Sequence, residues 1–310
     1  MTGPLSALVV ECSTIPSGQP FAHPRYSPPS PAASGGSHRI AGPGAHVAGS
    51  VSRGPRVTVP GPARDPWIRR FHPAPDAPAR LVCLPHAGGA AGYFFRLSRS
   101  LPPAAEVLAV QYPGRQDRSA EPPLGDIVRT AEAALPSVRA AADRPLALFG
   151  HSMGALVAFE LARGLERAGA RVDALFVSGM RAPTSPFGGS LHTADDETLL
   201  EDVRALAGTD QRILEYDELL KLALPSIRGD YRAVETYRYR PGPPLRCPIV
   251  SMIGDTDPRV LAETAAGWAG ETSAAYRLET FGGGHFYLDN HWNAIVTLLG
   301  EQLRESARHT

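Results

Sequence analysis

The chain has 310 residues, enough for one large domain or two small ones. Its 31 basic and 31 acidic side chains cancel to a formal charge of zero, which leaves no electrostatic case for nucleic acid or an anionic membrane as a partner. No apolar run approaches the length of a bilayer span, and the short run Leu5 to Val10 lacks the basic flank of a secretory signal. The expectation is a cytoplasmic protein.

Residues 1–64 are dominated by Pro, Gly, Ser and Ala, as in Ser27-Pro-Pro-Ser-Pro31 and Gly42-Pro-Gly44. This stretch has neither a helical nor an alternating apolar period. It cannot bury enough surface to offset its ordering entropy, and it reads as a disordered extension. Basic residues are almost all Arg, with Lys221 the only lysine, a bias of GC-rich coding. In such a genome a valine codon can start translation, and the expectation is that Val51, Val57 or Val59 is a candidate start. Residues 65–310 have globular composition. Cys12, Cys83 and Cys247 show no metal spacing; the last two fall in or beside strand-like runs and read as buried, unpaired thiols of a reducing compartment.

From residue 80 onward apolar runs alternate with amphipathic segments. Strands are expected at 80–84, 107–111, 146–149, 174–178, 249–253 and 276–281, and helices at 94–101, 127–142, 153–168, 259–268 and 292–304. Most strand runs are apolar at consecutive positions, as parallel strands covered on both faces require. Gly169 stands where a helix C-cap is wanted. The alternation implies an α/β, doubly wound, mostly parallel sheet. One interval breaks it. Helical patterns at 197–207, 211–222 and 224–239 interrupt the strands, and a lid over about 182–243 is expected there, beyond the strand ends.

The run from Leu146 to Ala162 carries Gly150-His-Ser-Met-Gly154 between a short apolar strand and an Ala/Leu-rich helix. Gly-x-Ser-x-Gly in that setting is a nucleophile elbow, with Ser152 at the apex of a strained turn. A serine hydroxyl attacks only when a base takes its proton and a carboxylate orients that base. Downstream, one strand runs into Gly254-Asp-Thr-Asp-Pro258 and the next into Gly282-Gly-Gly-His285. The three glycines let the second loop bend His285 over Ser152. His291 reads as a surface or capping residue, and His151 as pointing away from the nucleophile. The acid is Asp257 or Asp255. Spacing after the strand favours Asp257, and Pro258 biases it toward an extended backbone; the other aspartate would cap the following helix. The oxyanion donors are expected to be the backbone N–H groups of Met153 and Ala87, the latter in Leu84-Pro-His-Ala-Gly-Gly89. His86 has a side chain that this loop does not need. Tyr93, Phe94 and Phe95 could line an acyl pocket, although the latter two read better as core.

Leu81 to Tyr93, Tyr112-Pro-Gly-Arg115, the elbow, Leu224-Pro-Ser-Ile-Arg-Gly-Asp230 and Gly283-Gly-His-Phe286 together resemble type II thioesterases. These are the stand-alone editing enzymes of modular polyketide and nonribosomal peptide synthases. The resemblance runs from about Trp67 to the last helix. It implies an α/β-hydrolase fold with a mobile lid, and hydrolysis of acyl thioesters from the phosphopantetheine arm of acyl or peptidyl carrier proteins. Ser152 would be the nucleophile, Asp257 the acid and His285 the base. It further implies no cofactor or metal, the arm being part of the substrate, and a monomer. Gly229 departs from the pattern, since a bulkier residue is common there. Two other readings use the same residues: an oxygen-ester or lipid hydrolase, and a hydrolase-fold binding protein without turnover, against which the intact triad argues.

Overall fold

The computed structural model describes residues 65–206 and 217–308. The expected extension over 1–64, with Cys12 and the three valine positions, lies outside them, as do residues 211–216 of one expected helix. Seven strands form one sheet: β1 (Ile68–Arg69), β2 (Arg80–Leu84), β3 (Glu106–Val110), β4 (Leu146–His151), β5 (Ala174–Ser178), β6 (Ile249–Gly254) and β7 (Tyr276–Phe281). Among the described residues the α-helices are α1 (Phe95–Ser100), α2 (Ile127–Ala140), α3 (Met153–Arg167), α4 (Asp196–Ala205), α5 (Asp217–Glu235), α6 (Ala262–Ala266) and α7 (Leu288–Arg308).

Side chains of a strand point alternately to its two faces, so a run apolar at every position must be covered twice. Val82 and Leu84 of β2, with Leu146 and Leu148 of β4, join a core built with α2 and α3. Leu81, Cys83, Ala147 and Phe149 enter a second core on the opposite face, closed by Leu97 of α1 and by Ile295 and Leu299 of α7. The outer strand β7 is only half covered, and there Arg277 and Glu279 pair at 2.9 Å on its solvent side. β1 was not foreseen: a two-residue edge paired antiparallel with β3 has no period to detect. Cys83 and Cys247 are buried and unpaired, as expected.

The strand order is β1-β3-β2-β4-β5-β6-β7, with every pair parallel except β1 with β3. From β2 the chain moves outward to β3, then returns to place β4 on the other side of β2. The order therefore reverses between β2 and β4, and a crevice opens beyond their carboxyl ends. Leu84 pairs with Gly150 at that rim, which brings the loop after β2 beside the elbow after β4.

The helical insertion lies between β5 and β6, with two corrections. The break expected near Leu222 to Leu224 does not occur, because α5 runs through Pro225 to Glu235. An interior proline costs about 3 kcal/mol. Leu224, Ile227 and Tyr231 of α5 pack with Leu199 and Val203 of α4, and each such burial returns about 1.5–3 kcal/mol. Beyond Glu235 the expected helix gives way to a turn and irregular chain, where Tyr237 and Tyr239 donate hydroxyls to Glu160 (2.7 Å) and Glu271 (2.9 Å). The last helix begins earlier than expected and is interrupted at His291, whose φ and ψ are −120° and 16°. Gly169 ends α3 as foreseen: its N–H donates to Glu166, and that of Ala170 to Leu165.

The elbow depends on a close approach. A Cβ at Gly154 of α3 would lie 2.1 Å from the Leu84 carbonyl oxygen, and one at Gly150 would lie 2.1 Å from that of Gly154. Both obstacles are backbone, so neither can yield. Gly154→Ala is expected to lower unfolding free energy by about 1–3 kcal/mol, the cost of overpacking, whereas Gly270→Ala, with nothing near its added methyl, should change it by less than about 0.5 kcal/mol. Urea denaturation of both variants reads the difference, and equal effects would contradict the packing account.

Candidate active site

Ser152 sits between β4 and α3 with φ +53° and ψ −122°, a conformation side chains rarely adopt. Such a residue costs about 1–3 kcal/mol and persists only where its surroundings over-determine it. Here its N–H donates to the Ser178 carbonyl at the end of β5 (2.7 Å), and its own carbonyl accepts from Ala155 (2.9 Å). The hydroxyl is thereby raised above the sheet rim at the start of α3.

His285 comes from the loop after β7. Its Nδ1 lies 2.8 Å from Asp257 Oδ2, and its Nε2 lies 2.9 Å from Ser152 Oγ. With the carboxylate accepting from Nδ1–H, the lone pair falls on Nε2, which accepts from the serine hydroxyl. Both His285 and Asp257 are buried. The other Asp257 oxygen accepts from the Arg259 N–H at 2.8 Å. Of the two aspartates, Asp257 is the one that reaches the imidazole.

Asp255 does not cap the next helix, as had been expected of the second aspartate. Its Oδ1 accepts from the Gly283 N–H at 2.7 Å, and further backbone bonds join Asp255 to Phe281 and Thr256 to Gly283. The acid loop and the base loop are zipped together by these contacts. His291 adds to the same brace, donating from Nε2 to the Gly282 carbonyl (2.8 Å). It lies inside the last helical segment rather than at its start.

Two further imidazoles are buried nearby. His151 lies under the elbow with Nδ1 2.9 Å from Ser178 Oγ, which in turn bonds Tyr287 Oη at 2.6 Å. His86 contacts the rings of Tyr93 and Phe286 edge-on. Burial drives both away from the charged form, with the neighbouring His285 adding to the effect: His151 falls well below the ordinary histidine value and His86 drops to about 3. Both are neutral near pH 7, so the triad has no second cation against it.

A cleft of ≈ 840 Å³, its open mouth included, is lined by Ser152 and His285 together with His86 and Ala87. Its apolar wall comes largely from the insertion: Phe187, Val203, Leu206, Tyr231 and Val234. Tyr93, Phe94 and Phe95 are not in that lining. Phe94 is core, as expected. Phe95 is not: it is 47% exposed and edges onto Phe71 and His72. Tyr93 is held behind His86 and bonds Asp289 (3.2 Å). Tyr93 and Phe94 lie in the turn that precedes α1, which packs with α7 on one face of the sheet.

Sequence reasoning gave no role to Arg115 and Asp230, although both lie in quoted motifs. They form a buried two-pronged ion pair, with Nη1 to Oδ2 at 2.8 Å and Nη2 to Oδ1 at 2.9 Å. The signal available was a charged residue at the end of each of two motifs, Arg115 and Asp230; their pairing, 115 residues apart, was not readable.

A mostly parallel sheet whose switch point carries an elbow serine, an imidazole and a carboxylate in hydrogen-bonded line defines the α/β-hydrolase class. A model of the thioesterase domain matches residues 79–303. Thioesterase PikA5 of Streptomyces venezuelae is 50% identical over 244 residues, covering 76% of this chain and 85% of its own. The solved type II thioesterase BorB, from the borrelidin biosynthetic cluster, is 51% identical at a TM-score of 0.74, covering 77% of this chain and 98% of its own. YbtT, a type II thioesterase from the yersiniabactin NRPS/PKS pathway, is 29% identical at a TM-score of 0.70, covering 77% and 99%. The chain belongs to the thioesterase family. It shares both sequence and fold with type II thioesterases of polyketide and nonribosomal peptide pathways.

The buried neutral histidines set an acid dependence of stability. An unfolded histidine takes its proton near pH 6.5, and folded His86 only near 3. Between those values the unfolded state binds more protons, so stability rises with pH and is lost on acidification. His86→Gln should reduce the slope by up to about 1.4 kcal/mol per pH unit in that window. Denaturation curves from pH 7 to 5 measure it; an unchanged slope would mean that His86 takes its proton at the same pH in the folded and unfolded states.

Proposed function

We propose that this thioesterase cleaves acyl groups from the phosphopantetheine arm of acyl or peptidyl carrier domains, clearing stalled or misprimed positions of a modular synthase. The observation that carries the reading is the unbroken hydrogen-bond path from Asp257 through His285 to Ser152, opening on an apolar cleft. The pathways named for BorB and YbtT support the carrier-bound substrate. A long flexible arm suits the geometry, because a carrier docked outside can still present its thioester to a recessed serine. In this reading the working unit is one chain in the cytoplasm, with the lid formed by the insertion around α4 and α5.

His285 Nε2 takes the Ser152 proton as Oγ attacks the thioester carbonyl. The carbonyl oxygen becomes negative and is received by the N–H groups of Met153 and Ala87. The next two amides of that loop are already engaged, Gly88 with Asp230 (2.7 Å) and Gly89 with the His86 carbonyl (3.0 Å), which leaves Ala87 as its donor. Collapse breaks the C–S bond, and the imidazolium returns the proton to the departing sulfur. Water then attacks the acyl-serine with His285 again as base, releasing the carboxylic acid and restoring the hydroxyl. Asp257 keeps Nδ1 protonated and stabilises the imidazolium. A thioester is activated and its thiolate leaves readily, so the proposed steps use no cofactor.

Ser152→Ala should lower turnover by roughly four to six orders of magnitude, and Asp257→Asn by about four, because the imidazole would take the wrong tautomer. Asp255→Asn should cost less than Asp257→Asn, since Asp255 touches only the loop; the reverse ranking in steady-state assays would overturn the assignment of the acid. Substrate class is read by comparing one acyl group as a carrier-bound thioester and as the matching oxygen ester. The thioester should be preferred in kcat/KM, and strong preference for the ester would reject the thioesterase mechanism proposed here.

A further inference from the structure

The Arg115–Asp230 pair does more than join two segments. Asp230 Oδ2 also accepts from the Gly88 N–H at 2.7 Å, and Arg115 Nη1 also donates to the Gly89 carbonyl at 2.8 Å. The loop after β2 is therefore gripped at two consecutive residues, one through its amide and one through its carbonyl. Both grips fall directly after Ala87. Arg115 is fixed in turn by its own turn: Gln111 Nε2 donates to the Arg115 carbonyl (3.0 Å), and the guanidinium lies 5.1 Å from the Tyr112 ring centre.

Asp230 is carried by α5, and that helix is fastened on the same side at other points. Ser226 donates its hydroxyl to the Gly114 carbonyl. Ile227 lies close over Gly88, where an added Cβ would meet it at 3.0 Å. Gly229, the residue that departs from the family pattern, rests on Pro123, and a Cβ there would come within 2.9 Å of the ring. A small residue at 229 thus lets α5 approach closely enough for its next residue, Asp230, to reach the loop. The helix face turned to the cleft carries Tyr231 and Val234.

We infer that Asp230, with Arg115, is a positioning residue of the oxyanion hole: it holds the Ala87–Gly89 loop so that the Ala87 amide meets the negative oxygen. The C-terminal half of α5 then belongs to the catalytic frame, and movement of the insertion leaves it in place. The same helix presents the acyl wall, so an acyl group that displaces Tyr231 or Val234 also disturbs the hole and is read in kcat. This rests on the oxyanion role proposed for Ala87. A buried carboxylate that accepts an amide and a guanidinium together is a stiff support, because each bond is charge-assisted and no alternative partner is available without unpairing a buried charge.

The test uses the full chain, with Asp230→Asn and Arg115→Lys, an acyl-N-acetylcysteamine thioester, and the matching acyl trifluoromethyl ketone. The ketone adds Ser152 Oγ to its carbonyl carbon and so places an oxyanion in the hole; the matching acyl amide serves as a ground-state analogue. Each variant should lose about ten- to a hundredfold in kcat, less than the hundred- to thousandfold of deleting a donor outright, with KM within about threefold. Ketone affinity should fall in proportion to kcat while amide affinity holds. Unchanged kcat, or equal losses in ketone and amide affinity, would overturn the inference. If Asp230→Asn does not fold, the double variant Arg115→Met/Asp230→Leu leaves no buried charge unpaired and takes the same measurements. Should wild type bind the ketone but not turn over the thioester, the proposed substrate fails, while the ketone ratio between variants still decides the role of Asp230.

Discussion

The backbone of Ser152 is the constraint on which the rest depends. A positive φ at a residue with a side chain is held only because β4, α3 and β5 converge there: the amide is tied to Ser178, and two glycines allow helix and strand to touch. That conformation lifts the hydroxyl clear of the sheet and aims the first amides of α3 to the same side. Without the switch between β2 and β4 no crevice would exist for it to face. The sheet order, the helix packing and the position of the hydroxyl are thus one geometric statement.

Around this point polar interactions tie the loops to one another and to the elements beneath them. The base loop is zipped to the acid loop through Asp255 and capped from behind by His291. The loop after β2 is gripped by Arg115 and Asp230. Beneath the elbow, His151, Ser178 and Tyr287 form a chain of hydrogen bonds. Loops of Gly and Pro carry few apolar contacts of their own, so their precision must come from such ties. Burial also keeps His86 and His151 uncharged, so neither opposes a positive charge on His285.

Where the sequence reading erred, tertiary context overrode a local rule. The helical patterns at 211–222 and 224–239 were read as separate, yet α5 runs through Pro225 because its apolar stripe has a partner in α4. Tyr93 was a candidate for the acyl wall, but it lies outside the cleft lining and the wall is supplied by the insertion. Asp255 looked like a cap because it precedes a helix, whereas its carboxylate finds a closer amide in the neighbouring loop.

By itself the sequence determined what depends on short range: which runs are strands covered on both faces, where the chain turns through a strained serine, and which histidine and aspartates stand at strand ends. These are properties of periodicity and of local sterics, which a few consecutive residues specify. Only the tertiary structure decided which aspartate reaches the imidazole, which side chains wall the cleft, and that Arg115 and Asp230 meet. Such contacts join residues far apart in the chain, and they depend on helix positions set by packing summed over the whole sheet, so no local pattern encodes them.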